Sequence, residues 1–95
     1  MKAVLLLRER FAPAPDAFAE LVVWRVPRPV VGSTHSVKYH LALVVEERCV
    51  LRYDNESGKG DHKHLGAEER PFTFISIDDL LTAFWRVVES WRSPS

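Results

Sequence analysis

The densest group of chemically active side chains in this sequence lies between residues 52 and 66. This segment, RYDNESGKGDHKHLG, holds three glycines, two aspartates, two lysines, one arginine and two of the four histidines. Such groups transfer protons, contact phosphates or bind metal ions. The apolar run from Cys49 to Leu51 precedes the segment, which indicates a polar loop at the end of a strand. Because loops on a rigid scaffold commonly carry function, we expect the functional site here.

Metal-independent cleavage of RNA is one reaction that this loop could perform. The reaction needs a base for the 2′-hydroxyl proton, an acid for the leaving 5′-oxygen, and cations for the charge that develops on the phosphate. Histidine titrates near neutral pH, so His62 and His64 are the candidates for proton transfer. Asp54 is the candidate that orients a histidine. The basic side chains that would contact the phosphate are Arg52, Lys59 and Lys63.

Three other interpretations of the loop stay open. Asp54, Asp61, His62 and His64 together offer oxygen and imidazole ligands that suit several divalent metals, and a bound metal could activate water. The basic side chains could instead bind a phosphate or a protein without catalysis. The glycines could also simply form turns, with both histidines in solvent.

His40 would approach the loop if the strand that carries it pairs with the strand before the loop.

Length and composition favour one small globular unit. The chain has 95 residues, 46% of them hydrophobic, and a formal net charge of zero. This length supports one modest core, so we expect a single domain over residues 1–95. The global charge gives no indication of general nucleic-acid binding. Cys49, the one cysteine, lies beside Val50 and Leu51 and is expected to be a buried thiol.

The sequence contains no clear membrane or export signal. The apolar run from Ala3 to Leu7 is too short for the core of a signal peptide. No segment approaches the roughly 20 apolar residues of a membrane-spanning helix. We therefore expect a cytoplasmic protein with no membrane contact.

Alternation of apolar and polar residues predicts four strands, over residues 2–10, 17–26, 35–46 and 49–53. Residues 71–74 are either a fifth short strand or an extended approach to a helix. The short connections favour an antiparallel meander. The three tryptophans are expected to be core aromatics: Trp24, Trp85 and Trp91.

A long amphipathic helix is predicted to end the chain. Ser76 and Asp79 have the spacing of a capping box, and acidic residues suit the positive end of the helix dipole. Apolar residues then recur at spacings of three and four over about 16 residues. The fold class is therefore α+β, an antiparallel meander sheet of four or five strands packed by one long C-terminal helix. A single helix covers one face of the sheet, which leaves the other face for a partner or for a homodimer.

The run Leu51–Asn55, followed by GKGDHKH at residues 58–64, resembles the signature of the TumE-like toxin family. The PFTF run at 71–74, the IDDLL run at 77–81 and Trp24 followed by two prolines fit the same resemblance. It implies the toxin of a type II toxin–antitoxin pair, with a small helix-turn-helix antitoxin as partner. Many small toxins of this kind cleave RNA.

The leading interpretation is a bacterial toxin that acts as a ribonuclease and needs no metal or other cofactor. The alternative is a non-catalytic module that binds a protein or a nucleic acid.

Overall fold

The computed structural model describes residues 2–55, 58 and 60–92. Its elements follow one another along the chain as β1 Val4–Ala14, β2 Ala17–Arg25, β3 Val37–Val45, β4 Arg48–Asp54, β5 His62–Leu65, β6 Glu68–Pro71 and α1 Ile77–Arg92. Each strand pairs antiparallel with its neighbour in sequence, so the sheet order is β1-β2-β3-β4-β5-β6. The α+β class and the meander are confirmed, but the sheet has six strands rather than four or five.

The two additional strands lie in segments whose sequence is mainly polar. β5 falls inside the expected loop and pairs with β4, while β6 pairs with β5 across a turn at Gly66, where φ is +60°. Backbone hydrogen bonds to a neighbouring strand hold these elements, and such bonds leave no apolar periodicity in the sequence. Residues 72–76 form no strand and lead into α1, so they are an extended approach to the helix.

The core lies between one face of the sheet and α1. Ser76 caps the helix, since its Oγ accepts a hydrogen bond from the Asp79 N–H at 3.0 Å, and the predicted helix of about 16 residues is confirmed. Among the described residues, α1 falls short of the length and apolarity of a bilayer-spanning helix. The core side chains come from β2, β3, β4 and α1: Ala19, Leu21, Val23, Tyr39, Leu41, Leu43, Leu51, Tyr53, Leu80, Phe84 and Val88.

Three side chains that the sequence predicts to be in the core lie outside it, those of Trp24, Trp91 and Cys49. Leu21 and Val23 point into the core, so the alternate residue Trp24 lies half-buried on the face of the sheet opposite α1, the open face. Trp91 is 37% exposed at the end of α1, and only Trp85 packs against the core as expected. Cys49 is exposed rather than buried, because the β3–β4 register shifts between Leu43 and Val44 and changes the residue that faces inward.

The carboxylate of Asp61 ties three segments together beside the core. It accepts hydrogen bonds from Ser33 Oγ, His35 Nε2 and Tyr39 Oη, each at 2.7 Å. Burial alone would raise the pKa of Asp61, but the three hydrogen bonds outweigh it, so the pKa of this carboxyl lies below its ordinary value. Phe74 stacks on His35 with ring centroids 3.9 Å apart, which joins the approach to α1 to the same network.

The loops on either side of this network touch through glycine backbones. Gly32 and Gly60 both have positive φ, +92° and +84°. A Cβ on Gly32 would lie 2.5 Å from the Gly60 nitrogen, and a Cβ on Gly60 would lie 2.7 Å from the Gly32 oxygen. Only glycine fits at either position, because both the backbone conformation and the space exclude a side chain. The β2–β3 loop is therefore locked against the loop that leads into β5.

We expect Asp61→Asn to lower the free energy of unfolding at neutral pH by about 2–3 kcal/mol, since an amide cannot replace a carboxylate that accepts three hydrogen bonds. The folded-state pKa is depressed, so the carboxylate stabilises the fold above its unfolded pKa of about 3.9. That stabilisation is lost as pH falls through the folded-state pKa. Urea titrations at several pH values should therefore show a shallower acid dependence for Asp61→Asn than for the natural chain.

Asp16→Asn is the matched control, since it removes an exposed carboxylate in the β1–β2 turn. It should change neither the stability at neutral pH nor its acid dependence by more than about 0.5 kcal/mol. An Asp61→Asn protein with the same acid dependence as the natural chain would contradict the proposed role of this carboxylate.

We also expect Gly32→Ala to destabilise the protein by about 1–3 kcal/mol more than Gly66→Ala. Both glycines have positive φ, but nothing lies within 4 Å of a Cβ on Gly66. Gly66→Ala therefore reports backbone strain alone, and the excess for Gly32→Ala reports the contact between the loops. Denaturant unfolding of both variants measures the difference, and equal losses would show that the contact carries no energy.

Candidate functional site

Four of the predicted site residues meet on the open face, at the β4–β5 ladder. The register pairs Arg52 with His64 and Asp54 with His62. Directly opposed residues of antiparallel strands point to the same side of a sheet, so all four side chains lie together. The same rule brings His40 of β3 opposite Asp54, which confirms that it approaches this segment. The strands therefore assemble a polar cluster where the sequence predicted a loop.

His62 is held by two acceptors at the centre of this cluster. His62 is only 4% exposed. Its Nδ1 lies 2.9 Å from the Gly60 carbonyl oxygen, and its Nε2 lies 3.2 Å from Asp54 Oδ1. A carbonyl oxygen and a carboxylate are both acceptors, so each of these contacts suits a ring nitrogen that carries its hydrogen. Asp54, which is 6% exposed, places a carboxylate beside the ring.

His64 makes a contact of the opposite kind. Its Nε2 lies 2.9 Å from Arg52 Nη2. Because a guanidinium has no acceptor, Nε2 is the acceptor in this contact, and Glu69 Oε2 lies 3.9 Å from the same nitrogen. The side chain is 23% exposed, so solvent reaches this ring more readily than it reaches His62.

Arg52 links the two histidines through Asp54. Its Nε lies 2.9 Å from Asp54 Oδ2, but this N–H makes no hydrogen bond within the described residues, so the attraction is mainly electrostatic. The Arg52 side chain is 37% exposed and can reach a ligand on the open face. The ring centroids of His62 and His64 are 5.0 Å apart. The cluster thus places two imidazoles, a carboxylate and a guanidinium side by side.

The other predicted residues do not join this cluster. Lys63 is opposite Tyr53 in the ladder and therefore points to the side of the sheet that carries α1. Asp61 points to that side as well, where Ser33, His35 and Tyr39 occupy its carboxylate. Lys59 lies outside the described residues.

A metal site at this position would use a different set of ligands from the predicted one. His62, His64 and Glu69 offer ligand atoms that all lie within 4.8 Å of one another, and these donor types suit transition metals. Asp61 is on the other face and cannot contribute. Arg52 opposes metal binding here, because its guanidinium holds the His64 Nε2 lone pair and adds positive charge.

The sequence did not predict the contributions of the β2–β3 loop and of β6. Ser33 and His35 reach Asp61 from 28 and 26 residues away in sequence, and Glu69 approaches His64 only through the β5–β6 register. The available signal in the sequence was the run from Gly32 to Ser36, which holds one histidine and three hydroxyl side chains. Asn55 extends the same support: it is fully buried, and its Nδ2 donates to the Val37 carbonyl at 2.7 Å.

Comparison with known proteins gives one assignment. The family model described as Toxin TumE matches residues 3–92, which is nearly the whole chain. No curated protein and no solved structure matches significantly. The family match covers every strand, the helix and the polar cluster on the open face. The chain therefore belongs to the TumE toxin family.

Proposed function

We propose that this chain is the toxin of a type II toxin–antitoxin pair and that it cleaves RNA without a metal ion. The observation that carries the proposal is the position of a partly exposed His64, in contact with the guanidinium of Arg52, beside a buried His62 that Asp54 and Gly60 hold. Cleavage at a 2′-hydroxyl requires one proton acceptor, one proton donor and one cation. The three side chains supply these three functions.

His64 is the proposed proton acceptor. In the free protein its Nε2 accepts a hydrogen bond from Arg52. A phosphate would attract the guanidinium through stronger, charge-assisted hydrogen bonds. Movement of Arg52 toward the phosphate would free the His64 lone pair for the 2′-hydroxyl proton. Substrate binding would thus prepare both the cation and the base.

His62 is the proposed proton donor for the leaving 5′-oxygen, and Asp54 is the residue that holds it in place. The contacts from Nε2 to Asp54 Oδ1 and from Nδ1 to the Gly60 carbonyl fix the ring, so one of them must open before an N–H can reach the leaving oxygen. Developing negative charge on the phosphate would be stabilised by Arg52 without reorganisation of the strand backbone. Lys59 and Lys63 remain proposed phosphate contacts, although Lys63 starts from the opposite face of the sheet.

Membership of a toxin family implies an antitoxin partner in general. We propose that this partner is a helix-turn-helix protein and that the pair acts in the cytoplasm. The open face is the surface that an inhibitor would cover, because it carries the cluster. A homodimer through the same face would also block the cluster, so we place any dimer contact elsewhere.

We expect His64→Ala to reduce cleavage of total RNA by about 10²–10⁴-fold, the usual contribution of a general base. Its stability should change little, because the ring is partly exposed. Arg86→Ala, on the exposed surface of α1, is the control for a folded variant with full activity. Cleavage that persists in a chelator supports the metal-free mechanism, and RNA that stays intact with the natural chain contradicts the proposal.

We expect Asp54→Asn to reduce cleavage while leaving RNA binding within a factor of about three, since Asp54 positions His62 rather than the substrate. Binding is measured with an uncleavable 2′-O-methyl strand and cleavage with the matching unmodified strand. If Asp54→Asn loses RNA binding to the same extent as it loses its effect on the growth of a bacterial host, the non-catalytic binding module is favoured.

A further inference from the structure

The zero net charge of the chain conceals a separation of charge along the strands. The site end of the sheet is the end where β1 and β3 begin and β2 and β4 finish, next to Asp54 and His62. That end carries four cations, Lys2, Arg8, Arg25 and Lys38, and two carboxylates that the networks already hold, Asp54 and Asp61. The opposite end carries five acidic residues, Asp16, Glu20, Glu46, Glu47 and Glu68, and two cations, Arg10 and Arg48. The balance is therefore positive at the site end and negative at the other. A polyanion is therefore attracted to one end of the sheet and repelled from the other.

Two rows of side chains cross the open face at the site end. The register aligns Arg8 of β1 with Val22, His40, Asp54 and His62, one residue from each of five neighbouring strands. The second row aligns Leu5, Trp24 and Lys38. Both rows run perpendicular to the strands; the first reaches the cluster, and the second ends at Lys38 on β3, two residues before His40 of the first row. Four spacings of about 4.8 Å put roughly 19 Å between Arg8 on β1 and His62 on β5.

We propose that these rows form a binding path for single-stranded RNA, which crosses the open face from β1 to the cluster. The inference rests on the proposed function, since it places the substrate of that reaction. Arg8 and Lys38 contact phosphates, and Arg52 takes the phosphate beside the bond to be cleaved. The path supplies the substrate affinity that a small cluster of two histidines cannot supply alone.

Trp24 is the feature that favours a single strand. Trp24 is half-buried on the open face, opposite Leu5 of β1 and Lys38 of β3, and Arg8 lies opposite Val22 one step along the strand face. An indole on a sheet surface offers a platform for an unpaired base, and such stacking depends little on sequence. The bases of an A-form duplex are stacked on one another and cannot take this position. An acidic antitoxin segment is the competing occupant, and the test below separates the two.

The experiment measures fluorescence anisotropy of a labelled 2′-O-methyl RNA single strand, which binds but cannot be cleaved. Trp24→Ala should weaken binding by about 5- to 150-fold, the effect of losing one stacked base. Arg8→Ala and Lys38→Ala should each weaken binding and reduce the salt slope by about 0.7. Arg86→Ala removes the same charge from the opposite side of the molecule and should leave affinity and slope unchanged.

Several outcomes would overturn the path. If Trp24→Ala and Arg8→Ala bind the RNA as tightly as Arg86→Ala does, the open face is excluded as the binding path. Equal losses of RNA affinity in all the variants would exclude it as well. Loss of antitoxin binding in Trp24→Ala with unchanged RNA binding would make the face a protein interface. Because Arg8 is exposed, its variant keeps the test valid if Trp24→Ala fails to fold.

Parallel cleavage assays separate this inference from the proposed function. Strong binding along the path with no cleavage of unmodified RNA would sustain the path and refute the nuclease. Normal cleavage by Trp24→Ala and Arg8→Ala would sustain the nuclease and refute the path.

Discussion

The hydrogen-bonded carboxylate of Asp61 is the constraint on which the polar half of this fold depends. Asp61 immediately precedes β5, and consecutive residues in extended backbone point to opposite faces. Fixing Asp61 on the helix side through Ser33, His35 and Tyr39 therefore fixes His62 on the open side. A one-residue slip of β5 would move Asp61 to the open face and His62 to the helix side, and it would break the hydrogen bonds of Asp61 and the contacts of His62. The short strand thus obtains its register from side-chain chemistry rather than from apolar burial.

The cluster on the open face obeys a second constraint, which is the balance of buried charge. Asp54 and His62 are almost fully buried, and Arg52 adds a positive charge at 2.9 Å. Removing one member of such a group leaves an uncompensated charge in a poorly solvated place. Asp54, His62 and Arg52 are therefore stable only together, whereas the more exposed His64 is not part of this balance. The chemistry proposed for the cluster needs the same property, since a preorganised set of charges costs little reorganisation during reaction.

Sequence periodicity predicted the elements that bury apolar surface and failed for those that do not. α1 and the first four strands have clear apolar patterns, and the capping residue Ser76 was evident from its spacing to Asp79. β5 and β6 are held by ladder hydrogen bonds and polar side-chain contacts rather than by apolar burial, so their residues looked like a loop. The two faces of β2 are both largely apolar, and sequence could not tell that Trp24 lies outside the core.

The composition of the site was predicted more fully than its geometry. Residue types alone identified Arg52, Asp54, His62 and His64, and the structure brings these four together. The separation of Asp61 from His62 required the strand register, which no local pattern encodes. The contribution of the β2–β3 loop depended on a contact between distant glycines, which is a property of the assembled chain.

The order of the elements also bears on how the protein is made. Every strand pairs with its predecessor, so each pairing can form as soon as the next segment leaves the ribosome. The helix follows all six strands, and until it is synthesised the apolar face of the sheet has no cover. A nascent chain that stops before Ile77 would lack Leu80, Phe84 and Val88 and could not bury its core. For a toxin, this order delays a stable, active molecule until translation of the helix is complete.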